Sequence, residues 1–260
     1  MSDTTEPDAD SRKRAAYQRE VLQFDEWREQ LERNGEAPAI PAATVVVLRD
    51  GPGGLESLML RKNARDAAFG GMWVFPGGRI DDGDHDGTSD LLAAARRAAT
   101  REAREEADIT LDPGELVHFS YWIPPPIAPK RFATWFFAAE APAGEVVIDD
   151  SEIVRHEWMT PSEAMRRRDA GEIEIIIPTW VTLHTVARFN TVAEALAGLQ
   201  QQQPRQYVTR IGGGPQGPVS MWHGDAGYDT ADPCVPGARH RVEVTPSGYV
   251  LDESGYRDPA

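Results

Sequence analysis

Three glutamates within five residues carry the most chemical content in this sequence. Glu102, Glu105 and Glu106 stand at i, i+3 and i+4, so on a helix they project from one side. Carboxylates so placed repel one another, and either solvent screening or a bound divalent cation relieves the repulsion. Magnesium takes oxygen ligands, keeps several waters and commonly bridges carboxylates to phosphates, and manganese accepts the same ligands. Upstream, Pro76, Gly77 and Gly78 give backbone freedom that a Cβ would restrict, allowing a carbonyl to turn towards a metal. Arg101 could pair with a neighbouring carboxylate and hold loop and helix in register. Hydrolysis of a diphosphate asks for such parts: cations that neutralise oxygen charge and activate water, and a base beside that water. Singly they are commonplace, since acids at this spacing usually make a solvated helix face and Pro-Gly-Gly is usually a turn.

For these residues to act together, a helix must carry the acids and a sheet must hold the glycine loop beneath it. Ser89 or Asp90 can cap a helix running to about Ala107. Its alanines at 93–95, 98, 99, 103 and 107 favour helix and allow close approach to a sheet. Residues 42–48 are apolar and β-branched, and a turn at 50–54 leads into 55–61, which predicts a hairpin. Residues 73–75 are a third extended segment, because Pro76 biases Phe75 away from helical dihedrals. Further strands are expected at 117–121, 131–138 and 157–159, and helices from near Ser162 and over 182–200. At the N-terminus, 1–14 reads as a disordered polar tail. In 15–33, Tyr17, Val21, Phe24, Trp27 and Leu31 recur at helical spacing. Composition changes at the glutamines 200–203. Thereafter strands at 205–211, 238–244 and 248–251 suggest a β-rich extension over 200–260, packed on a domain spanning 15–199 or on a dimer partner.

The chain has 42 acidic against 27 basic residues, a formal charge of −15 and a pI near 4.8. Such a surface repels polyanions, so general nucleic-acid binding is not expected, whereas a small phosphorylated substrate can be held through metal ions. The single cysteine, Cys234, excludes an internal disulfide, and its loop context predicts an inert thiol. His85, His118, His156, His184, His223 and His240 have no zinc-ligand spacing. The N-terminus lacks a basic and apolar leader, and no apolar run approaches membrane-spanning length. A soluble, cytoplasmic protein is expected, without membrane attachment and with a homodimer among its candidate states.

The string WVFPGGRIDDGD at 73–84, followed by AATREAREEADI at 98–109, resembles the signature of the Nudix hydrolases, Gly-x5-Glu-x7-Arg-Glu-apolar-x-Glu-Glu-x-Gly-apolar. The resemblance implies an α/β/α sandwich with a mixed sheet, here extended by an N-terminal helix and C-terminal strands. It implies metal-dependent hydrolysis of a nucleoside diphosphate derivative, with Mg2+ or Mn2+ as cofactor. Gly78 would offer its carbonyl to metal, Glu102 and Glu106 would be the principal ligands, Glu105 would assist, and Arg101 would be structural. Three departures stand out. Gly78 and Arg101 are separated by 22 residues, more than the pattern allows. The first glutamate is replaced by Asp84, at its proper distance from Gly78, or by Ala93, at its proper distance from Arg101; Asp84 keeps a carboxylate and is expected to fix the loop. Asp108 stands where the family has glycine, and Ala103 where it has a larger apolar residue. Outside the box, Glu157 before Trp158 is the expected distal acid, with Glu152 as its rival.

For the substrate, Arg61, Lys62 and Arg65 followed by FGGMWVFPGG at 69–78 look like the branch containing the peroxisomal coenzyme A diphosphatases and their bacterial relatives. Pro178-Thr179, the GDAGY string at 224–228 and Arg239-His240-Arg241 fit the same branch. That resemblance implies coenzyme A or acyl-coenzyme A as substrate. Arg61, Lys62 and Arg65 could engage phosphates, and Tyr121, Trp122 and Phe132 could stack on a base, although strand aromatics are more often core. The rivals are ADP-ribose, NADH or a dinucleotide as substrate, and a non-catalytic nucleotide-sensing module on the same scaffold.

Overall fold

Val45, Val46, Val47 and Leu48 are fully buried, so the strand that carries them has both faces covered and lies inside a sheet, not at its edge. The computed structural model describes residues 8–66 and 69–257. The central strand is β1 (Ala39–Gly51). It turns back antiparallel into β2 (Gly54–Lys62), with Gly51 opposite Gly54, as the hairpin expectation required. On its other side it runs parallel to β6 (Arg131–Glu140). The main sheet has the order β3 (Trp73–Val74), β2, β1, β6, β5 (Val117–Ile123), β8 (Arg205–Val208). Two strands pair off this path: β4 (Gly77–Arg79) with β1 and β7 (Ile153–Met159) with β2. Parallel pairs β1–β6 and β5–β8 among antiparallel neighbours make the sheet mixed.

Alternation along the strands feeds two cores. Val45, Val47, Leu58, Leu60 and Phe137 face α3 (Leu91–Ala107) and its alanines. Val46, Leu48, Met59 and Phe136 face the opposite layer of α4 (Pro161–Asp169), α5 (Ile177–Val186) and α6 (Val192–Gln200). Helices on both faces of a mixed sheet give the expected α/β/α sandwich. Between the glycine loop and α3 lies the one-turn helix α2 (Asp82–His85).

Four expectations about the flanks change. The N-terminal helix, α1 (Ala9–Asn34), starts before residue 15, because Asp8 accepts from Ser11 N at 2.8 Å as a cap; the first seven residues of the expected tail lie outside the described residues. The run 182–200 is two helices, because Thr191 caps Glu194 N at 3.2 Å while Glu194 accepts from Asn190 N at 3.0 Å. That reciprocal capping starts a new helix instead of continuing the old one. The strand expected over 205–211 splits at buried Thr209, whose N–H donates to Ile123 O at 2.9 Å. β8 thereby joins the main sheet, while β9 (Arg210–Gly213) joins a second, antiparallel sheet in the order β12 (Gly248–Asp252), β11 (Arg241–Thr245), β10 (Pro218–Met221), β9. β10 was not anticipated, since glycines and prolines flank it. Glu20 of α1 pairs with Arg168 and accepts from the Tyr249 hydroxyl at 2.8 Å, so the first helix is latched to both the domain and the second sheet. Among the described residues no helix is long and apolar enough to cross a membrane.

Candidate active site

The carboxylates are positioned by a helix that small residues press against the sheet. Ala94, Ala95, Ala98, Ala99, Ala103 and Ala107 are all fully buried, forming the stripe that meets β1 and β6. Asp90 caps the start, accepting from Leu92 N at 3.0 Å and Ala93 N at 3.3 Å. At the end Asp108 takes the left-handed conformation, φ 54°, and its N–H donates to Arg104 O at 3.0 Å. The aspartate therefore closes the helix as a glycine would, at a modest conformational cost.

This placement brings two acids onto the glycine loop. Pro76 O accepts from Val45 N at 3.0 Å and Thr44 Oγ1 at 2.7 Å, and Gly77 and Gly78 pair with Thr44 and Ala43 in the β4–β1 ladder. Glu106 is buried; its Oε2 accepts from Gly77 N at 3.0 Å and its Oε1 meets Lys62 Nζ at 2.5 Å. A Cβ at Gly78 would run into the Glu102 carboxylate, and one at Gly77 into Ala43 O and Thr44. Both glycines are thus demanded by close approach, and the backbone of Gly78 and the side chain of Glu102 share one small space.

Arg101 ties the lengthened loop to the helix. Its Nε and Nη2 donate to Asp84 Oδ1 and Oδ2 at 3.1 and 3.0 Å, and Nη2 also to Arg79 O at 3.0 Å. Nη1 meets Glu102 at 2.8 Å and Glu105 at 2.9 Å. Asp84 is itself buried and accepts from Asp81 N at 2.9 Å, closing a capping box around α2. The bidentate fork is the geometry guanidinium and carboxylate favour, and it places Asp84 at the join of loop and helix without contact to Glu106.

Charge in this pocket is undercompensated. Burial pushes the Glu106 carboxyl up to about 7, against the pull of Lys62 and of Gly77 N–H. Burial also raises Glu102, again against its arginine partner. For the Lys62 ammonium burial works downward, but Glu106 and then Glu152 outweigh it and hold it above its ordinary range. The carboxylates of Asp84, Glu102, Glu105, Glu106 and Glu152 share the two cations Lys62 and Arg101, and these hard oxygen donors beside the Gly78 backbone fit a divalent cation. Lys62 and Arg101 engage the acids, and among the described residues no three acidic, histidine or cysteine side chains converge as a ready cage. A cleft of about 640 Å3 opens along the outer side of α3; it shares Arg101 and Glu105 with the site but not Glu102 or Glu106.

Gly78, Arg101, Glu102, Glu105 and Glu106 are therefore brought together, with Glu105 as the exposed outer member. Other candidates lie elsewhere. Glu157 is opposite Met59, on the face away from α3, where Arg155 and Arg167 hold it at 2.5 and 2.6 Å. Glu152 instead lies 3.3 Å from Lys62, so of the two distal acids it is Glu152 that stands beside the cluster and not the expected Glu157. Arg61 is opposite Trp73 and Arg155 on that same far face, whereas Lys62 turns to Glu106; Arg65 is exposed in the following loop. Trp122 is buried, stacked on Tyr207 with ring centroids 3.9 Å apart, so it is core and not a platform for a base. Tyr121 leans on Trp135 at 4.3 Å and Phe132 on Phe69 at 5.8 Å, both half-buried. The signal for Lys62 was present in the alternation of Leu58, Leu60 and Lys62, whose common face was the α3 face. The C-terminal motifs form a structural pair: buried Asp225 takes Arg241 at 2.7 Å through both oxygens.

A model of the NUDIX domain matches residues 39–180, just over half of the chain, from β1 into the start of α5. The chain belongs to the Nudix family. Nudix hydrolases are pyrophosphatases acting on nucleoside diphosphate derivatives, generally with divalent metal ions, and this protein is a Nudix diphosphohydrolase. In fold it is similar to a Nudix hydrolase from Alicyclobacillus acidocaldarius, with a TM-score of 0.59 and 22% identity over 64% of this chain and 99% of that one. It also matches a MutT Nudix hydrolase from Burkholderia pseudomallei, at TM-score 0.43 and 18% identity over 57% of this chain and 98% of that one. A third match is the Nudix domain of Shewanella oneidensis NrtR, solved with ADP ribose, at TM-score 0.44 and 12% identity over 60% of this chain and 94% of that one. No curated protein matches the chain by sequence.

Proposed function

We propose that this Nudix hydrolase cleaves the diphosphate of coenzyme A or acyl-coenzyme A, releasing 3′,5′-ADP and a phosphopantetheine product, with Mg2+ or Mn2+ held by Glu102, Glu106 and the Gly78 carbonyl. One observation supports the metal chemistry above all others: two carboxylates of α3, Glu106 buried and Glu102 half-buried, close onto Gly77 and Gly78, and burial raises the cost of their charge. A divalent ion there neutralises diphosphate oxygens and makes water a stronger nucleophile. Arg101 keeps Glu102 and Glu105 in place from the loop side, and Asp84 keeps Arg101. Glu152, not Glu157, is the acid from outside the helix that reaches the cluster. The substrate assignment rests on the string from Arg61 to Gly78; Asp225 and Arg241 serve the fold and lend it no weight.

The test is a panel of coenzyme A, a short acyl-coenzyme A, ADP-ribose, NADH and diadenosine polyphosphates, each with Mg2+ and with Mn2+. Coenzyme A compounds should be preferred, chelator should abolish turnover, and Glu106→Gln should lower it by orders of magnitude. Preference for ADP-ribose would move the substrate, and activity indifferent to chelator and to Glu106→Gln would remove the metal assignment.

A further inference from the structure

Both oxygens of Glu106 are already in use, one by Gly77 N–H and one by Lys62 Nζ. Each oxygen keeps a second lone pair for a cation, but a divalent ion there would stand beside the Lys62 ammonium, and the two like charges repel at that range. Gly77 is not free to yield: it is paired with Thr44 in the ladder and wedged against Ala43 O and the Thr44 side chain. Lys62 can yield, since its charge sits at the end of a flexible four-carbon stem. A second carboxylate is within its reach, that of Glu152 at 3.3 Å, two-thirds exposed where Glu106 is buried.

Glu152 is held in that position by the chain around it. Asp149 accepts from Glu152 N and Ile153 N, both at 2.9 Å, and Glu152 O accepts from Asn63 N at 2.7 Å. Along β7 the register shifts beside Lys62: Arg61 faces Arg155 but Lys62 faces Ile153. The extra residue, Val154, is pushed outward to 44% exposure, while Ile153 returns to the core. Bulges next to functional sites re-aim side chains in this way. A lysine that served only to neutralise buried Glu106 would need no second, independently fixed acceptor. Glu106 and Glu152 are the charged groups acting on it, and its own charge is felt by Glu102.

We infer that Lys62 is the resident counter-cation of the metal site, passing from Glu106 to Glu152 when a divalent ion is bound. Lys62 is thus a positioning residue that sets metal affinity, and Glu152 is the acceptor that receives it. The inference rests on the metal-dependent function proposed above.

Mn2+ binding to the full chain, followed by electron paramagnetic resonance and calorimetry, tests it in four forms: unaltered, Lys62→Met, Glu152→Gln and the double variant. Lys62→Met should bind Mn2+ about ten- to a hundredfold more tightly, the worth of one hydrogen bond between charged groups. Its metal-free melting temperature should fall, because Glu106 is left buried and unpaired, and Mn2+ should restore it. Lys62→Gln, measured in parallel, carries the same expectation should the methionine form misfold. Glu152→Gln should weaken Mn2+ binding when Lys62 is present and change nothing when it is absent. Unchanged or weaker binding in both Lys62 variants overturns the inference. So does an equal loss from Glu152→Gln in both backgrounds, which would make Glu152 a ligand itself. If the unaltered chain fails to bind Mn2+, the metal assignment falls, and the hand-over falls with it.

Discussion

Replacing Asp84 by alanine should loosen the join between the glycine loop and α3. Asp84 is 5% exposed and accepts three hydrogen bonds, two from Arg101 at 3.0 and 3.1 Å and one from Asp81 N at 2.9 Å. Removing one partner of a fully buried ion pair costs roughly 3–5 kcal/mol. Arg101 is a quarter exposed and keeps Glu102 and Glu105, so solvent and those acids reduce the loss to about 2–3 kcal/mol. Equilibrium urea unfolding should show a midpoint lower by about 1 M, and Asp84→Asn, which keeps the shape and loses the charge, should fall between. The loss should also depend on pH. Burial works to raise this carboxyl, but the Arg101 hydrogen bonds outweigh it and hold it below its ordinary value of 3.8. A depressed acid stabilises the fold above its unfolded value, and the contribution disappears as pH falls through the folded one. The gap between Asp84→Ala and the unaltered protein should therefore be full at neutral pH and close in acid, below pH 3.8. Turnover should drop as well, since drift of Glu102 by about 1 Å can cost on the order of a hundredfold. Stability within about 0.5 kcal/mol of the unaltered protein would refute the tether.

Glu152→Gln should lower kcat/KM by about tenfold, the weight of one contact between charged groups, and Glu157→Gln should leave it within about twofold while costing stability through Arg155 and Arg167; the opposite order in steady-state kinetics would return Glu157 to the site. Mn2+ affinity should rise with pH and level off above the Glu106 value of about 7, because the cation needs the deprotonated carboxylate. Without metal the same raised acid acts in the other sense, its contribution to stability falling as pH climbs from 4.5 to about 7; a metal affinity flat across that window would contradict the burial of Glu106. Trp122→Ala should cost about 3–5 kcal/mol of stability with KM unchanged, and a raised KM in a stable variant would place Trp122 at the substrate after all.

The order of apolar runs, the alanine stripe and the i, i+3, i+4 glutamates are local facts, so the sheet-and-helix framework, the glycine loop and the acid-bearing helix were legible from the chain alone. Periodicity also contained the facing of Lys62, since strand side chains alternate and Leu58 and Leu60 already define the buried face. Which face that was, and which acid met it, depended on contacts between distant segments. Glu157 and Glu152 are close in sequence, yet pairing of β7 with β2 sends one to Arg167 and the bulge brings the other to Lys62. Trp122 on a strand is equally compatible with core and ligand platform until Tyr207, Trp222 and Phe136 close around it. Residues 200–260 lacked the apolar density of a core, and their place came from β8 pairing with β5 and from α1 crossing the second sheet. Local spacing thus determined which chemistry the chain can support. Strand pairing over long sequence separations decided which charges share the pocket, because electrostatic coupling depends on distance and burial in space and not on position along the chain.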